Sequence, residues 1–400
     1  MSQLSMFPKI NKDKIIQDLF QAYFSARKNK RNTINCLAFE KHFEVNIFKL
    51  YGEILKRKYT PKNSTCFIVN KPVKREIFAA NFRDRIVHHF MFNYISPIFE
   101  KIFINDCYSC RKGKGTHYGI KRIDHFIRSC SNNYTKNCYI LKLDIQGYFM
   151  AINKKILYKK VTTELFKQAD KLNFDLSLVL YLLYETIYNN PTINCIRKGN
   201  IKDWDGLPQS KSLFYTKPDC GLPIGNLTSQ LFGNIYMNQF DHWVKHNLGI
   251  KYYGRYVDDF ILVHNNKEYL KACISKIEKH LKESLELVLH PNKIYLQQYK
   301  KGVQYLGAVI KPHRTYIANR TKGNFYSAIE NYNMLLNTAK LNKEQQQLIL
   351  TSINSYLGIM KHFKTYKFRK QILLKYLSKH WSNYASLSKN ISKFEKIMWI

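Results

Sequence analysis

Two short stretches place acids where a basic chain has little evident use for them. In "LKLDIQGYF" (141–149), Leu141, Leu143 and Ile145 share one face of a strand pattern, so Asp144 points to the other face. In "GRYVDDFILVH" (254–264), Asp258 and Asp259 sit between apolar, aromatic runs that read as two strands around a turn. Two adjacent acids at a hairpin tip are, by themselves, an ordinary solvated turn. Three acids on adjacent strands are different, because neighbouring strands lie about 5 Å apart. Carboxylates that close repel unless cations hold them, and Mg²⁺ suits carboxylate, carbonyl and phosphate oxygens together. Two such ions about 4 Å apart stabilise the attacking and leaving oxygens of an in-line phosphoryl displacement. The spacing fits nucleotidyl transfer. Asp144 and Asp258 would bridge the ions, the Ile145 carbonyl would add a backbone ligand, and Asp259 is the more dispensable acid.

The rest of the chain must position these groups. Its 65 Lys and Arg stand against 28 Asp and Glu, a formal charge of +37 over 400 residues. Self-repulsion on that scale implies a polyanionic partner, and nucleic acid is the obvious one. Tyr and Phe interleave with basic residues, as in "FKTYKFRKQILLKYLSKHW" (363–381), where rings can stack on bases or fill a helical core. The 45% apolar content fits a folded chain with a sizeable core. Nine cysteines show no zinc spacing beyond one CxxC, Cys107 and Cys110, and suit reduced thiols. No apolar leader opens the sequence, and "LVLYLLY" (178–184) is too short to span a bilayer. A soluble, cytoplasmic protein without a membrane partner is expected.

Residues 11–58 read as helical, 63–82 as a hairpin with a Lys-Pro turn, and 84–103 as a helix. The Asp144 strand is followed by one long helical region over 154–190. "GLPIGNLTSQLFGNIYMNQFDHWVKH" then has Gly and Pro turn chemistry leading into a helix. Helix 266–287 carries Leu270, Ile274, Ile277, Leu281 and Leu285 on one stripe. "KIYLQQYKKGVQYLGAVI" reads as a strand pair, and the remainder as all-helical. This order approximates a split βαβ sheet backed by helices.

Taken together, "LDIQGYF", "GLPIGNLTSQ" and "YVDDF" resemble motifs A, B and C of reverse transcriptases. "KPVKREI" is similar to their fingers hairpin and "GVQYLG" to their primer grip. The likeness runs from about residue 35 onward. "GNLTSQLFGNIYMNQFD" and "YSCRKGKGTH" bring it nearest to the bacterial enzymes of diversity-generating retroelements and the phage-defence "unknown group". The resemblance implies an α+β right-hand polymerase: an N-terminal helical extension (1–62), fingers (63–140), palm with motif A and a small antiparallel sheet (141–190), and an insertion (191–220). The rest of the palm (221–312) and a helical thumb (313–400) would follow.

By the same resemblance, Lys71 and Arg75 would contact the incoming dNTP, with Ile145, Phe149, Ile224 and Gly225 around it. Phe149 falls at the steric gate that excludes a ribose 2′-hydroxyl and so selects deoxynucleotides. Lys293 matches a lysine thought to assist pyrophosphate departure. Ser229, Gln230, Tyr256 and Gly307 would lie along template and primer, with Ser229 and Gln230 alternatively capping their helix. Ile224 departs from the Gln that retroviral enzymes carry before the motif B glycine, which implies looser base selection. Two Mg²⁺ ions, replaceable by Mn²⁺, are implied. No acidic cluster suggests a hybrid-degrading nuclease, and no Cys/His endonuclease module is visible. The expected partners are an RNA template, preferably a cognate non-coding RNA, dNTPs and a DNA product, with an accessory protein or a second copy also open. Antiviral defence is the expected role. Mutagenic copying in a diversity-generating retroelement, or an idle maturase-like RNA binder, are the alternatives.

Overall fold

The computed structural model describes residues 11–28, 30–70, 73–338 and 341–396. Asn11 caps the first helix, α1 (Lys12–Arg27), by accepting from the Lys14 N–H at 3.0 Å. Helices α2 (Ile34–Glu40) and α3 (Phe43–Leu55) follow. Strands β1 (Thr65–Val69) and β2 (Arg75–Ala79) pair antiparallel, as their alternation predicts. The Lys71–Pro72 turn between them, and with it Lys71, lies outside the described residues. Helix α4 (Phe82–Ile102) is capped by Asn81 and buries Ile86, Phe90 and Phe99 against its neighbours.

Next in chain order come α5 (Thr116–Cys130), β3 (Tyr139–Asp144), the short α6 (Tyr148–Ala151), α7 (Lys154–Lys167) and α8 (Leu176–Tyr188). The single helix expected over 154–190 is therefore two. Phe174 turns inward to stack on Tyr94 at 4.7 Å, and Asp175 starts α8 by accepting from the Leu178 N–H. A two-residue strand, β4 (Ile196–Arg197), adds parallel to β1. Then follow α9 (Leu227–His246), β5 (Tyr252–Tyr256), β6 (Asp259–His264) and α10 (Lys267–Leu285). The buried stripe of α10 is Leu270, Cys273, Ile277, Leu281 and Leu285. Cys273, not the half-buried Ile274, takes the second seat, because a step of three from Leu270 stays on that face.

The last elements are β7 (Tyr295–Gln298), β8 (Val303–Tyr305), β9 (Ala308–Lys311), β10 (Arg314–Ile317), α11 (Asn319–Thr338), α12 (Lys343–Met360), α13 (Tyr366–Gln371), β11 (Ala385–Leu387) and β12 (Phe394–Lys396). The strand pair expected here is instead an antiparallel meander, β8–β9–β10. The region expected to be all-helical also ends in a β11–β12 hairpin, with the Asn354 side chain bonding both backbone groups of Phe394.

The chain is α+β and divides into two compact units: one from the described parts of Met1–Gly115, Leu141–Leu262 and Glu268–Tyr295, the other from Thr116–Ile140, Val263–Lys267 and the described part of Leu296–Ile400. In the first, β5, β6 and β3 lie side by side in that order. Phe240 of α9 packs edge-on against Phe260 and Tyr253 of this sheet, at 5.4 and 6.4 Å. Burying such rings contributes roughly 2–3 kcal/mol each and fixes the sheet on its helix. In the second unit, Phe325, Ile329, Ile353, Leu357, Ile372 and Trp381 form one core. Tyr366 and Tyr376 stay exposed, so the interleaved aromatics divide between core and surface. Among the described residues no helix is long and apolar enough to cross a membrane, and all nine cysteines are free thiols.

Candidate active site

Strand β3 buries Leu141 and Leu143 and leaves Lys142 and Asp144 on the opposite face. Beyond it the backbone is held from two sides. The Ile145 N–H donates to the Asp258 carbonyl at 3.3 Å, and the Gln146 N–H to that of Val288 at 2.9 Å. The Asp144 carbonyl accepts from the His290 N–H at 2.8 Å. The chain then turns through Gly147 at φ 56°, where a Cβ would stand 2.5 Å from the Ser210 carbonyl oxygen, so no larger residue fits. The segment that pairs with Asp144 runs directly into a 3₁₀ turn, Pro291–Lys293, and the Lys293 Nζ reaches the Asp144 Oδ1 at 2.8 Å.

Asp258 and Asp259 follow Val257 at the β5–β6 turn. Burial pushes the Asp258 carboxyl up to about 6, and the neighbouring charge of Asp144 adds to the shift. Burial raises Asp259 to about 7 despite Lys142, whose Nζ lies 3.1 Å from its Oδ2. Lys293 and Arg75 partly offset the shift at Asp258. Arg75 therefore lies within electrostatic reach of the turn. Tyr256, half-buried at the end of β5, feels the same guanidinium.

The "LPIG" loop closes another side. The Ile224 carbonyl accepts from the Phe78 N–H of β2 at 2.9 Å. Gly225, at φ 119°, passes so near β2 that a Cβ would meet Ile77 Cγ2 at 2.9 Å. The Leu222 N–H donates to the Phe149 carbonyl at 2.8 Å. Phe149 and Ile224 pack on one cluster of Cys66, Phe78, Met150 and Leu213. A ring and an apolar side chain thus stand together where deoxynucleotide selection was expected.

Not every expected residue is brought here. Ser229 is only 3% exposed and lines a small internal cavity with Asp84, His88 and Asn226, so its hydroxyl is not open to a duplex. It is also not the cap of α9: that position belongs to Asn226. The reason is helical phase, since Thr228 and Ser229 face the core while Gln230 is exposed. Gly307 lies in the second unit, at φ 82° in the β8–β9 turn. Conversely, two residues were missed. Lys142 could have been found from the alternation that places it on the Asp144 face. Glu76, adjacent to Arg75, is buried and accepts from Trp204 Nε1 at 2.7 Å, Ser212 Oγ at 2.9 Å and the Leu213 N–H at 2.6 Å. Glu76 ties the 198–220 loop to the hairpin that carries Arg75.

Cys107 and Cys110 form no metal site: Cys107 is buried and Cys110 exposed. Among the described residues no three His, Cys, Asp or Glu gather closely enough to hold an ion unaided. Asp144 and Asp258 nevertheless fit a hard divalent ion shared with a phosphate-bearing substrate. Both present oxygens, and the charge of Asp144 disfavours ionisation of Asp258, which an added cation would offset.

Residues 61–310 match the family model described as reverse transcriptase (RNA-dependent DNA polymerase). Protein YkfC of Escherichia coli (strain K12) is 24% identical over 308 residues, 68% of this chain and 73% of that protein. Similar solved structures include an apo telomerase from Candida tropicalis truncated from its C-terminal domain, with TM-score 0.46 and 14% identity, covering 67% of this chain and 59% of that one. Another is telomerase from Candida albicans in complex with a fragment of telomeric RNA, with TM-score 0.45 and 14% identity, covering 84% of this chain and 62% of that one. The chain therefore spans about six-tenths of the length of these telomerase chains.

Proposed function

The chain belongs to the reverse transcriptase (RNA-dependent DNA polymerase) family, and from that premise we propose that it copies a dedicated non-coding RNA into DNA in antiviral defence. One observation carries the catalytic part. Asp144 and Asp258 are brought together through the Ile145–Asp258 backbone bond, in a chain that is otherwise strongly basic. A pure RNA binder gains nothing from half-buried acids facing a polyanion. Asp144, Asp258 and the Ile145 carbonyl, with Asp259 alongside, would hold two divalent cations, Mg²⁺ or in its place Mn²⁺, which would supply charge stabilisation for phosphoryl transfer.

The side chains do the rest. Arg75, with Lys71, binds the triphosphate, where fixed cations offset developing charge. Phe149, packed on the same cluster as Ile224, excludes the 2′-hydroxyl and so favours dNTPs. Lys293, whose Nζ lies 2.8 Å from the Asp144 Oδ1, assists departure of the pyrophosphate. The charge of +37 supports binding of template and primer through their phosphates.

Primer extension on poly(rA)/oligo(dT) with Mg²⁺, comparing dTTP with UTP, tests the activity: dTTP is incorporated and UTP is not. No dTTP incorporation on this template or on the copurifying RNA refutes the polymerase. Sequencing that RNA and inspecting neighbouring genes test the role. A template and variable repeat pair beside the gene would replace defence with mutagenic copying.

A further inference from the structure

A valine in left-handed backbone needs something to hold it there, because its branched Cβ crowds the following carbonyl. Val257, immediately before Asp258, has φ 58°. Both of its backbone polar groups are held. Its N–H donates to the Ser109 Oγ at 3.3 Å, and its carbonyl accepts from the Arg255 Nη1 at 2.8 Å.

The holders are anchored in turn. Arg255 is 0% exposed. Its Nε and Nη2 donate to the two oxygens of Asp241 on α9, at 2.7 and 2.6 Å, and Tyr253 Oη donates to the same carboxylate at 2.6 Å. Ser109 donates to the Asn234 Oδ1 at 2.9 Å, and the Asn234 Nδ2 returns a bond to the Ser109 carbonyl at 2.8 Å. The loop carrying Ser109 is itself stitched along β5. The Arg255 N–H donates to the Asp106 carbonyl, and the Tyr108 N–H to the Arg255 carbonyl, each at 2.9 Å. Tyr108 fills the space beside Gly254, where a Cβ would run into its hydroxyl oxygen and meet its Cζ at 2.8 Å, so only glycine serves at that point in β5.

A buried Arg–Asp pair is a poor device for stability alone, since apolar residues of like volume do as well. What it offers is direction. Two arms of the planar guanidinium fork are fixed by Asp241, and this aims the remaining nitrogen at the Val257 carbonyl. The next carbonyl along, that of Asp258, receives the Ile145 N–H and so couples the turn to the Asp144 strand.

We propose that Arg255 and Ser109 are positioning residues for nucleotidyl transfer: together they hold Val257 left-handed and thereby aim the Asp258 carboxylate toward Asp144, with Asp241 and Asn234 of α9 as their anchors. This rests on the polymerase reading above.

The test uses the full-length chain on poly(rA)/oligo(dT) with dTTP, measuring kcat, KM and the Mg²⁺ concentration for half-maximal rate, alongside thermal unfolding. Ser109→Ala lowers kcat roughly tenfold, the size of one hydrogen bond felt at the transition state, and raises the Mg²⁺ requirement with little change in dTTP KM. Arg255→Lys, which cannot reproduce the fork, lowers kcat further. Adding Val257→Gly to Ser109→Ala restores most of the lost rate, because glycine adopts this backbone without being held. A merely structural role would leave the Mg²⁺ dependence unmoved and would not be rescued by glycine at 257. Folded Ser109→Ala protein with wild-type kcat and Mg²⁺ dependence overturns the inference, as does a loss that Val257→Gly leaves unchanged. Should Arg255→Lys fail to fold, Ser109→Ala alone decides. Wild-type protein that incorporates no dTTP overturns the polymerase reading itself, and is thereby told apart from failure of this inference.

Discussion

The β5–β6 hairpin and the β1–β2 hairpin belong to the same unit, and each brings charged groups toward the same site, but one partly withdraws its charges from water and the other exposes its cation. At the first, the acids themselves are drawn partly out of water, with carboxyls raised to about 6 and 7, over a turn pinned by Arg255 and Ser109. At the second, Arg75 stays exposed while its neighbour Glu76 is buried and holds the loop behind it. The difference matches the roles proposed above for each charge. A carboxylate that fixes cations works best preorganised in a low-dielectric setting. A guanidinium that meets an arriving triphosphate must remain accessible and needs only a rigid base. The first hairpin should therefore govern kcat and the second KM.

The largest effect expected is at the acids. Asp144→Asn lowers kcat about a thousandfold or more while template–primer binding in a gel shift is retained. Loss of binding in step with rate would instead make Asp144 structural. Next is Glu76→Gln. An amide cannot accept from Trp204, Ser212 and the Leu213 N–H together, so the chain loses about 2 kcal/mol to denaturant. Wild-type stability would mean that Glu76 does not hold the loop. Smaller still, Arg75→Ala raises the dTTP KM roughly tenfold with kcat nearly unchanged. A fall in kcat at constant KM would erase the contrast between the hairpins.

The smallest effect is acid sensitivity away from both hairpins. His88, buried in α4 near Arg85 and His89, is held down at about 3 by burial and by those neighbours. The unfolded chain takes up its proton near pH 6.5 and the folded chain does not. Stability is therefore full above that pH and falls as pH drops, by about 1 kcal/mol between pH 7 and 5.5. His88→Leu should flatten this slope in denaturation series at the two pH values. An unchanged slope assigns it to other groups.

Much of the site was legible because it obeys local rules. Alternation in "YILKLD" put Asp144 opposite Leu141 and Leu143, and the same rule, carried two residues back, places Lys142 on the Asp144 face. What local rules could not reach depends on distant partners. Nothing in "LTSQ" says that Ser229 faces inward, since that depends on which side of α9 meets α4. The split at Phe174 was hidden because its cause, the Tyr94 ring, is 80 positions earlier in the chain. The Arg255 pin draws on Ser109, Asn234 and Asp241, which sequence spacing does not bring together.

The central claim is that Asp258, beside Asp144, holds the metal for DNA synthesis on RNA. Its most direct test is single-turnover dTTP incorporation on poly(rA)/oligo(dT) across a Mg²⁺ titration, for wild type and Asp258→Asn. The expected result is Mg²⁺-dependent extension by wild type and none by Asp258→Asn at any Mg²⁺ concentration. Extension by Asp258→Asn at the wild-type rate and Mg²⁺ dependence would contradict the account.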